Sequence, residues 1–348
     1  MATRGHRGRP LPASVAPVSS LRPVSGTAGE ILGLLQEWDA ATDPRPLAIQ
    51  TSGSTGSPKR VVLSRAAMRS SALATQERLG GPGQWVLNLP PTYVAGVQVL
   101  YRSVVAGTAP LLDDQYQTLP PGRVYISLVP TQLFRALQDS SDVQDLTRFD
   151  AVLVGGGPLS PEVRAEAEGY GIRIVQTYGM SETCGGCVYD GRPLAGVEIR
   201  IGDDEEILLR GPMLFDCYED DPERTAAVMQ DGWFRTSDVG RLDDGRLWVT
   251  SRLDDVIITG GVKVPGAAVA DRLKTHPMIE EAVVLGVPDE EWGERVVAFV
   301  VRKKSITLAD VRALVDPREW APRQLVVVEE IPLLPNGKPD RMRLRGLP

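Results

Sequence analysis

Thr51-Ser52-Gly53-Ser54-Thr55-Gly56-Ser57-Pro58-Lys59 lies between two short apolar runs, 47–50 and 61–63. Its hydroxyls, closely spaced glycines and lysine make a cradle for a polyanion. Glycines let backbone N–H groups converge, hydroxyls add donors, and Lys59 adds charge. A Walker A loop has the form G-x-x-x-x-G-K-[ST]. Here only two residues separate Gly53 from Gly56, and Arg60 follows Lys59, so no hydroxyl stands where that loop holds Mg²⁺. This is a phosphate loop of another kind. A flexible Ser/Gly linker is disfavoured, because the segment joins two strand-like runs without a shift in composition.

Working outward, apolar runs at 85–89, 125–129, 151–154 and 172–176 read as strands. Helical patterns at 64–79, 94–106 and 161–168 lie between them, the last opened by Ser160 and Pro161 as N-cap and first helical residue. Thr27 and Glu30 form a capping box ahead of Ile31, Leu34, Leu35 and Trp38. Repeated strand-then-helix order predicts an α/β domain with a mainly parallel sheet. Between 198 and 249 the strands shorten and glycines interrupt them, as in hairpins or a small barrel. Beyond Arg252 the pattern becomes strand 256–259, helix 267–273, strands 282–287 and 296–301, helix 308–315 and strand 325–328. That predicts a small α+β domain with its own core. The expected division is a flexible head (1–26), a large domain (27–253) and a C-terminal domain (254–348).

Composition narrows the function. With 38 basic and 45 acidic residues among 348, the net charge is −7, which opposes a nucleic-acid coat protein. No apolar run reaches the length of a membrane span. Only two histidines occur, His6 and His276, so a Ser-His-Asp hydrolase or multi-histidine metal site has little to build on. Cys184 and Cys187 form a C-x-x-C, but within a glycine-rich turn and without a second pair; small side chains beside a pocket explain them better than redox or zinc chemistry. The head is Arg-, Pro- and Ser-rich and has no acidic residue before Glu30. Its prolines break the amphipathic helix of a transit peptide, which leaves a flexible head on a cytoplasmic protein as the expectation.

The loop at 51–59 resembles the phosphate loop of the adenylate-forming enzymes: acyl-CoA synthetases, peptide-synthetase adenylation domains and luciferases. Five further motifs resemble theirs, in the same order, so that the resemblance runs from about residue 47 to 338. Gly155-Gly156-Gly157-Pro158 is similar to the turn lining the adenine and acyl pocket. Tyr178-Gly179-Met180-Ser181-Glu182 is similar to Y-G-x-T-E, with Ser181 in place of threonine. Thr236-Ser237-Asp238-Val239-Gly240 resembles T-x-D-x-G, and Ser251-Arg252-Leu253-Asp254-Asp255 the hinge motif. Gly260, Gly261 and Lys263 fall where that family builds a pantetheine tunnel. Pro335-Asn336-Gly337-Lys338 resembles its C-terminal P-x-G-K.

The resemblance implies roles. Thr51, Ser52, Gly53, Ser54, Thr55, Gly56 and Lys59 hold ATP phosphates; Tyr178 stacks on adenine; Ser181 contacts phosphate; Glu182 holds Mg²⁺; Asp238 accepts both ribose hydroxyls, with Arg252 beside them. Asp254 is the pivot of a mobile C-terminal domain. Lys338 serves acyl-adenylate formation, and coenzyme A then takes the acyl group. Flat aromatic faces for a base and hard oxygens for a hard cation suit these assignments.

A finer resemblance, to short family members that activate o-succinylbenzoate, rests on residues 89–103, 129–133 and 178–190. That acid has two carboxylates, and the one that does not react needs a cation; Arg102 is the candidate anchor. Tyr93 stands where many relatives carry histidine, while Thr183, Gly185 and Gly186 shape the ring slot. Another aryl or acyl acid, an adenylation module loading a carrier-protein thiol, or a nucleotide-binding scaffold without turnover stays open, as does homo-oligomerisation.

Overall fold

The computed structural model describes residues 22–51, 59–112, 119–252, 256–334 and 339–347. Most of the head, residues 52–56 of the phosphate loop, Asp254 and Lys338 lie outside these residues.

A seven-stranded sheet forms the centre of the larger part. Its order is Arg192–Pro193, Gly185–Tyr189, Ile174–Met180, Ala151–Val154, Val124–Leu128, Gln84–Leu87 and Leu111–Leu112. The last five strands run parallel, as the strand-helix alternation predicts. Val124–Leu128 and Ala151–Val154 are buried along their whole length, which is why they read as near-continuous apolar runs, broken only at Ser127. The other two pairings are antiparallel. The expectation of a mainly parallel sheet in the α/β part is met in this core.

Elsewhere pairing is mostly antiparallel. Leu47–Gln50 and Arg60–Leu63 form a hairpin around the phosphate loop, flanked by Arg22–Pro23 and by Cys217–Tyr218. Thr51 N–H donates to the Lys59 carbonyl at 2.8 Å and closes the hairpin at the base of the loop. A five-stranded sheet spans Glu198–Ile201, Glu206–Arg210, Met229–Gln230, Trp233–Asp243 and Arg246–Arg252. It is the glycine-interrupted region of the sequence.

Helices cover the sheets where their sequences predict. In Ala28–Ala40 the capping box closes, with Thr27 N donating to Glu30 Oε2 at 2.8 Å, and Ile31, Leu35 and Trp38 are buried. Val94–Ala106 buries an uninterrupted stretch from Gly96 to Ser103, so it is a core helix rather than an amphipathic one. It ends at Gly107, whose φ of 70° supplies the left-handed stop. Helices Pro130–Ala136 and Ser140–Leu146 have no counterpart in the sequence reading.

The last sheet is built wholly from residues after 255: Val256–Thr259, Val262–Pro265, Ile279–Asp289, Gly293–Arg302 and Gln324–Val328. Each face carries its own apolar cluster. One gathers Ile257, Val264, Val269, Leu273, Val296 and Val300; the other holds Leu285, Val297, Phe299, Ile331 and Leu344. The long hairpin extends beyond the apolar runs 282–287 and 296–301 because its backbone ladder continues through polar residues to Ile279–Arg302 and Asp289–Gly293. Strand Val262–Pro265 and helix Arg341–Arg345 were not expected.

Candidate active site

Parallel strands deliver their loops to one edge of the central sheet, outside the carboxyl ends, where open α/β sheets bind ligands. Gly155, at the end of Ala151–Val154, is fixed by its N–H donating to the Leu128 carbonyl at 3.1 Å. A Cβ there would lie 2.1 Å from Thr177 Oγ1. The next strand therefore approaches closely only because this position is glycine. Gly156, Gly157 and Pro158 continue as an exposed turn.

On the adjacent strand, Tyr178 reaches the five-stranded sheet. Its hydroxyl donates to Asp238 Oδ2 at 2.7 Å, and Arg252 Nε lies 3.5 Å from Asp238 Oδ1. Asp238 and Arg252 are direct partners across the antiparallel pair. An irregularity in the strand aims the carboxylate. Ser237 adopts φ 61°, its N–H donates to Glu206 Oε1, and Thr236 Oγ1 accepts from Asp238 N at 3.0 Å while donating to the Ile207 carbonyl. Burial and the Asp238 charge raise the Tyr178 phenol well above its ordinary range, so it remains a donor at neutral pH. Each Asp238 oxygen retains acceptor capacity for a further hydroxyl.

Beyond Tyr178 the chain enters a tight crossing. Gly179 pairs with Gly186 and Met180 with Gly185 after a register shift. A Cβ on Gly179 would sit 2.1 Å from the Gly185 carbonyl oxygen and 2.7 Å from Gly186 Cα. Gly179→Ala must force two backbones apart. It is expected to cost about 1–3 kcal/mol or more in urea unfolding, and to displace the neighbouring Tyr178.

The turn Ser181–Thr183 follows. Thr183 is fully buried, and its hydroxyl bonds Met180 N at 2.9 Å and the Gly185 carbonyl at 2.7 Å. It braces the turn from behind. Gly186 leaves room between Thr177 and Tyr189, where a Cβ would meet the Tyr189 ring at 2.9 Å. Cys184 closes the turn with φ 51°, and Cys187 lies in strand Gly185–Tyr189, so the pair spans a strand start rather than a glycine-rich turn. Burial raises both thiols, Cys187 to about 12, which removes the thiolate that redox or metal chemistry requires. Among the described residues no group of three or more His, Cys, Asp or Glu side chains could hold a metal ion.

Glu182 meets Lys59 across the fold. Lys59 Nζ lies 2.5 Å from Glu182 Oε1 and donates to the Tyr218 hydroxyl at 3.1 Å; that hydroxyl donates to the same Oε1 at 2.8 Å. Tyr218 was not singled out in the sequence. It arrives through the pairing of Cys217–Tyr218 with Val61 and Val62, a long-range contact with no local signature. The one local cue is the helix start at Asp221-Pro222 just after it, where Asp221 accepts from Arg224 N.

A second cluster lies beneath the turn. Arg102 is buried on helix Val94–Ala106, its guanidinium 4.9 Å from the Trp85 ring centroid and its Nη2 3.3 Å from the Tyr189 hydroxyl. Its Nε has no hydrogen-bond partner, and no carboxylate pairs with it among the described residues. The buried Gln98 Oε1, one turn earlier on the same helix, is also unpartnered. Tyr93 is the N-cap of that helix and makes no side-chain cap bond. On the last sheet, Gly260 and Gly261 turn with φ 54° and 82°, and Lys263 Nζ lies 3.8 Å from Asp204 Oδ1. Ser52, Gly53, Ser54, Thr55, Gly56, Asp254 and Lys338 fall outside the described residues, so their placement stays an expectation.

Comparison with known proteins gives a consistent picture. Residues 19–219 match the family described as AMP-binding enzyme, and residues 268–338 its C-terminal domain. A probable 2-succinylbenzoate–CoA ligase of Mycobacterium tuberculosis (strain CDC 1551 / Oshkosh) is 41% identical over 335 residues, covering 90% of this chain and 87% of the relative. A 2-succinylbenzoate–CoA ligase of Listeria monocytogenes serotype 4b is 32% identical over 356 residues, covering 95% and 76%. Among solved structures, o-succinylbenzoate CoA synthetase from Bacillus subtilis in complex with the acyl-adenylate intermediate OSB-AMP superposes with a TM-score of 0.76 at 28% identity, over 87% of this chain and 69% of that one. The same enzyme with ATP and magnesium ion gives 0.75, also at 28% identity, over 86% and 69%.

Proposed function

The chain belongs to the AMP-binding enzyme family, and from that membership we propose that it is an ATP-dependent o-succinylbenzoate–CoA ligase serving menaquinone biosynthesis in the cytoplasm. Among the described residues no helix is long and apolar enough to cross a membrane. The observation that carries the reading is the meeting of Lys59, from the phosphate loop, with the buried carboxylate of Glu182, beside the Tyr178–Asp238–Arg252 group. The strong identity to 2-succinylbenzoate–CoA ligases supports the choice of acid.

Two half-reactions follow. A substrate carboxylate oxygen bonds the α-phosphorus of ATP as the bond to pyrophosphate breaks. The coenzyme A sulfur then bonds the acyl carbon, its proton leaves to solvent, and AMP departs. Neither step needs a histidine; positioning and charge neutralisation suffice. Tyr178 presents a half-buried ring to the adenine, and Asp238 accepts ribose hydroxyls beside Arg252. Lys59 turns from Glu182 to the phosphates.

Glu182 fits a magnesium site: a single buried carboxylate is the usual protein share when phosphates supply the remaining hard oxygens. Bound there, Mg²⁺ neutralises phosphate charge. Arg102 meets the non-reacting carboxylate, and Thr183, Gly185 and Gly186 set the slot for the ring. We further propose that residues 27–253 and 254–348 are the two domains, joined at Asp254, and that Gly260, Gly261 and Lys263 guide the pantetheine.

Pyrophosphate release and thioester mass, measured over a panel of acids with ATP, Mg²⁺ and coenzyme A, test the proposal. A thioester is expected with o-succinylbenzoate far above benzoate. Pyrophosphate without thioester on free coenzyme A would point to a carrier-loading module, and no pyrophosphate with any acid to a scaffold.

A further inference from the structure

The Lys59–Glu182 pair poses a problem that the proposed reaction must solve. Lys59 is needed at the phosphates, yet it neutralises a carboxylate whose side chain is only 6% exposed, against 24% for its own. Pulling a cation away from a buried anion leaves an uncompensated charge, which is strongly unfavourable. Resting on the nucleotide-site reading above, we infer that Tyr218 is a positioning residue: it keeps Glu182 satisfied when Lys59 leaves for ATP, and so sets the free energy of releasing that lysine.

Three features carry this. The Tyr218 hydroxyl donates to the same oxygen, Glu182 Oε1, that Lys59 contacts, so the carboxylate keeps a donor after the lysine departs. Lys59 Nζ is also bonded to that hydroxyl and lies 4.5 Å from the centre of the Tyr218 ring, a second station on its way out. The ring itself is fixed by Phe215, with centroids 4.9 Å apart, and by strand pairing to Val61, two residues after Lys59.

The test is calorimetric titration of ATP into the full-length protein, without acid or coenzyme A, in EDTA and again with saturating Mg²⁺. Tyr218→Phe keeps the ring and removes only the oxygen. Metal-free ATP affinity should fall roughly 10- to 100-fold, the worth of a hydrogen bond to a charged group. Affinity with Mg²⁺ should change much less, because a cation then satisfies Glu182 directly. An equal fall in both conditions would mean that the tyrosine is merely structural and would overturn the inference. So would no fall in either. Glu182→Gln gives an independent measurement that does not depend on how the phenylalanine variant folds. With no charge to strand, it should bind metal-free ATP at least as tightly as the parent, and adding Tyr218→Phe should cost little more; weaker metal-free binding by Glu182→Gln would overturn the scheme. Failure of the unsubstituted protein to bind ATP in either condition would remove the nucleotide-site reading itself, and this inference with it.

Discussion

Lys338→Ala is expected to slow acyl-adenylate formation by roughly 10²- to 10³-fold, the usual effect of deleting one donor aimed at transition-state charge. Thioester formation from pre-made acyl-adenylate should proceed at close to the normal rate. The asymmetry follows from the division of labour between two lysines. Lys59 immediately precedes the strand Arg60–Leu63 of the hairpin with Leu47–Gln50, and in the proposed scheme it serves the phosphates. We propose that Lys338, from the far end of the chain, bridges carboxylate and α-phosphate oxygens in the first step only. In the second step the charge develops on the thioester carbon's oxygen and on departing AMP, and in this proposed scheme Gly260 and Gly261 face the site instead. Isotope exchange between pyrophosphate and ATP reads the first step, and coenzyme A consumption with synthetic adenylate reads the second. Equal losses in both would show that one arrangement of the protein serves both steps, contrary to the proposal.

Arg102→Met is expected to act in opposite directions on activity and stability. The guanidinium is buried, stacks on Trp85 and touches Tyr189, but has no carboxylate among the described residues. Cation–π contact returns only part of the hydration lost. In the absence of substrate, the arginine therefore lowers stability. Methionine fills similar space without charge, so the melting midpoint should rise by about 2–4 °C for each ~1 kcal/mol relieved. In exchange, kcat/KM for o-succinylbenzoate should fall by about two to three orders of magnitude, the scale for losing one member of a desolvated charge pair. Aryl monoacids should lose little. If stability and selectivity were both unchanged, Arg102 would not be the anchor.

Features that one short segment specifies could be read from sequence. Thr27 and Glu30 announced a helix start, Ser160-Pro161 another, and the buried strand Ala151–Val154 showed as an unbroken apolar run. The sequence also singles out Tyr178, Asp238 and Arg252, chemically distinctive types in short patterns, which the fold brings into contact. What escaped depends on the encounter of distant segments. Tyr218 gains its place only when Cys217–Tyr218 pairs beside the phosphate-loop hairpin. The strand character of Gly185–Tyr189 comes from its ladder with Ile174–Met180, since glycine-rich sequence by itself suggests a turn. The long hairpin Ile279–Asp289/Gly293–Arg302 outran its apolar cores because backbone pairing does not stop where side chains become polar. Gly155 and Gly179 are each required by the approach of a neighbouring strand, which no local pattern states.

The final sheet, with an interior on each face, has a consequence for how this molecule can change shape. A body that keeps its own oil inside can be turned as a solid piece without opening either of its interiors. The ionic tie seen across the seam, Lys263 to Asp204, joins two side chains that are 72% and 74% exposed, and such ties contribute little in water. For the proposed turn about Asp254, that tie sets no large barrier.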